Sequence, residues 1–260
     1  LLGSERRFGR GDEYVIAVPT DVTEVEKKAF YDLVYHSQAR ARSVRIVERG
    51  LVDALGSGID VIAEKGIFVA NFGGGTTELS VLSEGGMVLN RLMKIGGEDF
   101  DAAIASLVRR NQDFLIGRLT AERLRREFGV FDQSTDSAIT VSGRDLISGV
   151  PSQTTVSISL VRAAMKELLE ECVRAIKAMI DRTPPNVRHG IREKGICLTG
   201  GMANLRGLST YLRESTGLPV MTMDEPELCA VRGLRRILSD RTYYNRLTYS
   251  MMDEDYRWLR

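Results

Sequence analysis

The 260-residue sequence has little of the chemistry that histidine and cysteine provide, because it contains two histidines and three cysteines. Zinc sites and histidine-based triads are therefore poorly supplied with donors. Cys172, Cys197 and Cys229 are odd in number, lie among apolar neighbours and lack metal-site spacing. This pattern predicts buried thiols in a reducing compartment rather than a disulfide framework.

Two further absences narrow the class of protein. No apolar run reaches the roughly 18 residues that a membrane-spanning helix needs. The net charge is +1, so no overall positive field predicts nucleic acid as a partner. We therefore expect a cytoplasmic globular protein, with 43% hydrophobic residues in one large or two small domains. The chain opens on Leu1 rather than methionine and has no signal-peptide pattern, so we interpret it as a fragment.

A glycine-rich segment is the strongest candidate for a binding site. Between two apolar runs the sequence reads Asn71-Phe72-Gly73-Gly74-Gly75-Thr76-Thr77-Glu78, which predicts a hairpin of strand, turn and strand. Glycine lets the backbone approach a ligand closely, consecutive amides form a concave anion site, and threonine hydroxyls add donors. Because a two-residue turn needs fewer glycines, we expect 73–77 to bind a phosphate. A plain hairpin turn is the alternative.

A second glycine motif follows a predicted buried strand at 195–199. The chain continues as Gly200-Gly201-Met202-Ala203-Asn204 and enters a helix predicted to run to about Glu214. Ligands of open α/β sheets lie at the carboxyl ends of strands and at helix N-termini. The two glycines also let a flat ring approach the backbone. An ordinary turn between strand and helix is the alternative.

Two helices have clear start signals in the sequence. Thr23 and Glu26 form a capping box, and the helix that follows is predicted to bury Val25, Ala29 and Leu33. The longest helix is predicted from an N-cap at Ser159 to about residue 181, where Pro184-Pro185 ends it.

Eight ordered blocks resemble the MreB family, the bacterial actins of the actin/DnaK/sugar-kinase ATPase superfamily. These blocks are Val18-Pro19 with 23–26, Ala41-Arg42 with Val44, 73–78, Gly97 with Asp101, 115–117 with 120–122, 143–146, 183–185, and 198–201 with 205–208. The resemblance covers about residues 14 to 238. It implies an α/β, actin-like (ribonuclease H-like) ATPase fold that contains most of lobe II plus the later part of lobe I. It also implies ATP with Mg²⁺ between the lobes.

The resemblance divides the chain into five parts. Residues 1–60 correspond to the later part of lobe I, and 61–114 to the core of lobe II with the phosphate hairpin. Residues 115–158 form the small subdomain of lobe II, and 159–240 return to its core with the adenosine motif. Residues 241–260 form an aromatic tail, which we expect either to contact a partner or to dock on its own lobe.

The resemblance also implies a function, a rod-shape-determining protein that self-associates into filaments. These filaments lie at the inner face of the plasma membrane and organise cell-wall synthesis proteins. Carried over by position, 73–77 is the second phosphate loop and Gly200, Gly201, Met202 and Ala203 face the adenosine. Glu122, Arg123 and Arg125 contact the base and ribose. Arg6, Arg7 and Phe8 fall where some relatives touch lipid, and they are either a cationic headgroup contact or a solvated loop.

Several positions depart from the family pattern. The Asp-x-Gly-Thr motif of the first phosphate loop is absent from these 260 residues. Asn71 replaces the aspartate that helps to hold the metal's water shell, so no metal ligand is predicted. Arg49 occupies the position of the glutamate that positions the attacking water, and it cannot accept a proton. A shift of one residue would leave Glu48 as the catalytic carboxylate. Met202 replaces a family glycine and narrows the adenine slot.

These departures leave three functions open. The first is an MreB-type filament protein that binds ATP, with weakened hydrolysis. The second is a degenerate actin-like scaffold that works through protein contacts without nucleotide. The third is an enzyme or chaperone of the same superfamily, for which no substrate-binding domain is found after residue 240.

Overall fold

A computed structural model describes residues 11–37, 41–130 and 137–252, so the predicted lipid contact at Arg6, Arg7 and Phe8 lies outside the described residues. The strands are β1 (Asp12–Val18), β2 (Ala41–Glu48), β3 (Ile67–Phe72), β4 (Thr77–Ser83), β5 (Gly86–Met93), β6 (Phe114–Leu115), β7 (Ala138–Asp145), β8 (Pro151–Ser157), β9 (Ile196–Thr199) and β10 (Val220–Thr222). The helices are α1 (Glu24–Tyr35), α2 (Arg49–Gly56), α3 (Gly97–Gln112), α4 (Arg118–Phe128), α5 (Ile158–Arg182), α6 (Pro185–Lys194), α7 (Leu208–Thr216), α8 (Cys229–Ser239) and α9 (Arg241–Leu247). Short 3₁₀ helices span Gly201–Asn204 and Pro226–Leu228.

The strands form three sheets. The central sheet has the order β10-β9-β3-β4-β5, the parallel pair β1-β2 forms a second sheet, and β6-β7-β8 forms a third. In the central sheet β3 runs parallel to β9, with Asn71 opposite Thr199. The carboxyl ends of these two strands therefore lie side by side, and both glycine motifs begin at this edge.

Helix α5 carries the main apolar face against the central sheet. Its buried residues Val161, Met165, Leu169, Cys172 and Ile176 recur every three or four positions, which places them on one side of the helix. The predicted cap at Ser159 is wrong by two residues. The Ser157 hydroxyl accepts from the Leu160 amide at 3.3 Å, and the helix begins at the next residue.

Helix α6 was missed by the sequence prediction. Pro184 and Pro185 were taken only as the end of the preceding helix, yet Pro185 is the first residue of a new one. Proline is well tolerated there because the first helical amide has no intrahelical partner and the fixed φ suits the helix.

Helix α1 confirms the predicted cap but not the predicted face. The Thr23 amide donates to Glu26 Oε2 at 2.8 Å, and the Glu26 amide donates to Thr23 Oγ1 at 3.3 Å. The prediction that Val25, Ala29 and Leu33 are buried is wrong, because Val25 is 79% exposed and Leu33 73% exposed. The helix turns Tyr31 inward instead, against the small cluster above β1 and β2.

The described part of the tail docks on its own chain. Tyr249 and Ile46 exchange two backbone hydrogen bonds, so the chain after α9 adds an antiparallel bridge to β2. Arg45 Nε donates to Thr248 Oγ1 at 2.6 Å, and the Tyr249 hydroxyl donates to Glu48 Oε1 at 3.0 Å. Up to residue 252 the tail therefore follows the second of the two expectations.

No helix among the described residues is long and apolar enough to cross a membrane.

Candidate functional site

The loop at the tip of the β3–β4 hairpin has exposed amides. Strand pairing ends at Phe72 opposite Thr77, and the Gly73 amide closes the loop on the Thr76 carbonyl at 2.8 Å. Within the described ranges, the Gly74 and Gly75 amides donate to no backbone carbonyl. A Cβ added to either glycine would meet nothing within 4 Å. The loop therefore offers donors and room for an anion beside them.

The first residues of helix α3 hold this loop through backbone hydrogen bonds. The Gly97 amide donates to the Gly73 carbonyl at 3.1 Å and the Glu98 amide to the Gly74 carbonyl at 2.8 Å. The Thr77 hydroxyl donates to the Ile95 carbonyl at 2.7 Å and is buried. Of the two threonines predicted to face a phosphate, Thr77 thus has its hydroxyl engaged within the fold, and Thr76 lies in the half-exposed loop.

The second glycine motif lies against the first. Gly200 has φ +85°, and a Cβ there would lie 2.4 Å from the Phe72 carbonyl oxygen. Only glycine combines this backbone conformation with such a close approach. A Cβ on the next residue, Gly201, would meet nothing within 4 Å. The ends of strands β3 and β9 are therefore in contact at Phe72 and Gly200, and there is open space beside the backbone at Gly201.

A cavity of about 530 Å³ joins the two motifs to α3 and α4. The sequence-predicted residues that line it are Gly74, Glu122, Arg125, Gly201 and Met202. Seven predicted residues do not line it. Arg123 faces Glu127 on the exposed side of α4, Ala203 is buried in the core, and Gly200 packs on β3. The other four are Gly73, Gly75, Thr76 and Thr77 of the hairpin segment, of which only Gly74 lines the cavity. Sequence reasoning assigned no role to the polar lining residues Glu98, Arg118, Arg126, Asn204 and Glu227, of which Asn204 lies at the end of the second glycine motif.

A buried ion pair forms one wall of the cavity. Arg125 Nε donates to Asp101 Oδ1 at 2.6 Å, and both side chains are less than one tenth exposed. Arg125 Nη1 also contacts Met202 Sδ at 2.7 Å. The wall is rigid because a buried guanidinium with a carboxylate partner is strongly held in place. Next to it, Arg126 and Glu122 form an exposed pair at 2.7 Å.

A carboxylate that the sequence reasoning passed over lies under the hairpin. Asn71 Nδ2 donates to Asp53 Oδ2 at 2.6 Å, and the Thr199 hydroxyl donates to the same oxygen at 3.4 Å. Asp53 is 1% exposed, and its Oδ1 has no hydrogen-bond partner among the described residues. Burial raises the pKa of Asp53 to about 6, against the lowering effects of the Asn71 hydrogen bond and of Arg49. An acidic residue inside the apolar run 51–55 was the available signal.

The other two carboxylates of this region also have partners. Glu78 Oε1 accepts from Arg49 Nη1 at 2.7 Å, and Glu78 Oε2 accepts from the Thr20 amide at 2.9 Å. Glu48 lies 3.5 Å from the Lys27 ammonium and accepts from Tyr249. Within the described residues, no group of three or more His, Cys, Asp or Glu side chains could hold a metal ion.

The cavity and its lining suit a nucleotide better than a directly bound divalent cation. A cavity of about 530 Å³ is within the range of small-molecule sites, and a phosphate at the glycine loop would leave the cavity for a flat base and sugar. The residues present therefore fit a nucleotide. Among the described residues they do not form a group of three or more carboxylate, histidine or cysteine side chains that could hold a divalent cation directly.

Comparison with known proteins identifies the family of this chain. The chain is 38% identical over 220 residues to the cell shape-determining protein MreB of Escherichia coli strain K12, a match that covers 84% of this chain. It spans 63% of that relative's length. The crystal structure of MreB5 of Spiroplasma citri bound to AMPPNP superposes with a TM-score of 0.84 at 26% identity, covering 91% of this chain and 70% of that one.

A more distant structure, a MamK double helical filament, has a TM-score of 0.73 at 18% identity over 88% of this chain and 69% of that one, and it bears on the fold alone. The predicted actin-like α/β fold is confirmed. The family described as MreB/Mbl protein matches residues 3–246, a range that extends beyond both ends of the resemblance given above and into the tail. The chain belongs to the MreB/Mbl family of actin-like cell shape-determining proteins.

Proposed function

We propose that this chain is the nucleotide-binding part of a filament-forming cytoskeletal protein, which binds ATP between two lobes. The observation that carries the proposal is the junction of the two glycine motifs at Phe72 and Gly200, with exposed loop amides on one side and the cavity on the other. The nucleotide-bound relative from Spiroplasma citri supports the identity of the ligand. In this proposal 73–76 hold the phosphates, and Gly201 and Met202 hold the adenosine.

Hydrolysis is proposed to be weak. A general base must accept a proton from the attacking water, and Arg49 cannot do so. Glu48, the neighbouring carboxylate, points toward Lys27 and Tyr249, so its position does not favour that role. The contribution of Mg²⁺ is proposed to be weakened as well, because Asn71 carries no charge and its amide donates to Asp53.

Nucleotide binding is tested with the full-length protein and one position in the loop. Gly75→Asp places a negative charge beside the proposed phosphates, while Gly75→Ser at the same open position is the neutral control. We expect a fluorescent ATP analogue to bind the wild type and the serine variant, and to bind the aspartate variant at least tenfold more weakly. Equal affinity of the aspartate variant would show that the phosphates lie elsewhere.

Self-association is tested by pelleting the same proteins. We expect sedimentation of the wild type to require ATP and to be lost in Gly75→Asp. A second candidate, the scaffold without nucleotide, is favoured by the engaged carboxylates at Glu78 and Asp53. It requires pelleting that neither ATP nor a chelator changes. The two functions therefore give opposite results in one experiment.

The cellular role proposed for the filament is to organise cell-wall synthesis at the inner face of the plasma membrane. Its support is the family, whose Escherichia coli member is a cell shape-determining protein. Co-sedimentation of the full-length protein with vesicles that contain anionic lipid tests the membrane contact, and substitution of Arg6 and Arg7 by serine should abolish it if that loop makes the contact.

A further inference from the structure

The first residue of α2 places a positive charge on the hairpin that carries the proposed phosphate loop. Arg49 Nη1 lies 2.7 Å from Glu78 Oε1. Glu78 is directly opposite Asn71 in the β3–β4 register, and the glycine loop begins two residues beyond Asn71. The guanidinium is therefore anchored one residue pair below the end of strand pairing in the hairpin whose tip carries the open amides.

The charge of Arg49 is only partly used in this position. Its side chain is 34% exposed, whereas that of Glu78 is 3% exposed. A guanidinium carries five N–H donors, and in the described part of the chain one hydrogen bond from Arg49 is recorded, to Glu78. Glu78 does not depend on that bond alone, since both the amide and the hydroxyl of Thr20 donate to its other oxygen. The pair can therefore open without leaving the carboxylate without donors.

A phosphate is a stronger partner for this guanidinium than a carboxylate. Phosphate oxygens carry more charge and match the planar fork of arginine in two parallel hydrogen bonds. The other carboxylates of the region, Glu48 and Asp53, have their own partners and accept no hydrogen bond from Arg49 in the described part of the chain, although the Arg49 charge lowers the pKa of Asp53.

We propose that Arg49 binds the terminal phosphate of the nucleotide, exchanging Glu78 for the phosphate when a triphosphate enters the site. This inference rests on the proposed ATP binding and goes beyond it. It gives the site a means of distinguishing a triphosphate from a diphosphate through a cation of the protein. At this position the family pattern has a carboxylate that positions water.

The test compares Arg49→Gln with Glu78→Gln in the full-length protein, using fluorescent analogues of ATP and ADP. Arg49→Gln should weaken ATP about tenfold, the usual size of a lost charged hydrogen bond, and change ADP less than about twofold. Glu78→Gln removes the competing carboxylate, so it should tighten ATP severalfold. Arg49→Lys keeps the charge and should recover part of the ATP affinity. Arg45→Gln, on strand β2 just before α2 and bonded to Thr248, is the matched control and should change neither nucleotide.

The outcomes separate this inference from the proposed function. If the ion pair is only structural, Arg49→Gln and Glu78→Gln will change ATP affinity in the same direction, or Arg49→Gln will weaken ATP and ADP equally, and the inference is wrong. Thermal melting of each variant shows whether the fold is retained. If the wild type binds neither nucleotide with or without Mg²⁺, both the inference and the proposed function are overturned.

Discussion

Replacement of Asp53 by asparagine tests the electrostatics of the site without any ligand. Asp53 is 1% exposed, and one of its oxygens, Oδ1, has no partner in the described part of the chain. An asparagine side chain has the same shape and can still accept the hydrogen bond from Asn71. The variant therefore removes a buried charge and keeps most of the packing.

The size and sign of the effect follow from the pKa of Asp53. Burial raises this pKa from 3.8 to about 6. Between these two pH values the folded protein binds more protons than the unfolded chain, so the free energy of unfolding falls as pH rises through this window. One pKa unit corresponds to about 1.4 kcal/mol, so by pH 7 the loss is about 3 kcal/mol. Asp53→Asn has no such loss, and relative to the wild type it should gain about 2 kcal/mol between pH 4 and pH 7, because part of the loss already lies below pH 4.

Urea unfolding of both proteins at a series of pH values measures this difference. Asp145→Asn is the control with the opposite sign. Amides of Ser148 and Ile147 donate to the exposed Asp145 carboxylate and lower its pKa, so its stabilisation is present at neutral pH and lost as pH falls. A difference between wild type and Asp53→Asn that is constant with pH, or that follows the trend of Asp145→Asn, would refute the reasoning.

Three further substitutions test the site, each with its own measurement. Arg125→Met should lower the free energy of unfolding in urea by about 3–5 kcal/mol, because it leaves the buried Asp101 carboxylate without its partner. Arg126→Met, in an exposed ion pair, should lower it by less than about 1 kcal/mol. Equal losses would contradict the burial assigned to the Arg125 pair. Gly200→Ala should destabilise by more than about 1 kcal/mol and Gly201→Ala by much less, as thermal melting will show, because only the first has a positive φ and a blocked Cβ position. Asn71→Asp should raise the affinity for ATP measured with Mg²⁺, and an unchanged affinity would remove the explanation given for this position.

The elements with local signals were predictable from the sequence. The capping box of α1 is set by residues three apart, and the glycine hairpin by an unbroken segment between two apolar strands, so neither needed long-range information. Helix α6 was missed because a proline pair carries two meanings, the end of one helix and the first residue of another.

The inward face of α1 could not be read from hydrophobic spacing. Val25, Ala29 and Leu33 recur at helical spacing, but the two-stranded sheet beneath the helix offers a narrow surface, and Tyr31 fills it. Periodicity identifies an apolar face only when the packed side of the helix is also its most apolar side. The docking of the tail was likewise undetermined, because the bridge from Tyr249 to Ile46 joins residues far apart in sequence.

The backbone of the candidate site has local signals in the sequence, and of its lining side chains Glu122, Arg125 and Met202 were expected from the family resemblance alone. Glycines mark the places where the backbone must approach a ligand or another strand, so Gly74, Gly200 and Gly201 were found from sequence. The buried carboxylates Asp53 and Asp101 have partners 18 and 24 residues away, and nothing in a single sequence identifies which charges will meet.

The structure explains together the two departures from the family pattern, Asn71 and Arg49. Taken singly, Asn71 and Arg49 are losses, one of a metal-shell carboxylate and the other of a base. In the fold each contacts an acidic partner, since Asn71 donates to Asp53 and Arg49 donates to Glu78. An aspartate at 71 would put two carboxylates within 3 Å of each other, and a glutamate at 49 would face the buried Glu78, both of which like-charge repulsion opposes. The two replacements therefore suit their surroundings. With them, Asp53 and Glu78 each accept a hydrogen bond from the replaced position, and Arg49 adds a partly exposed positive charge. If Arg49 binds the terminal phosphate as proposed, the site is altered for binding rather than decayed, and Arg49→Gln and Glu78→Gln should have opposite effects on ATP affinity.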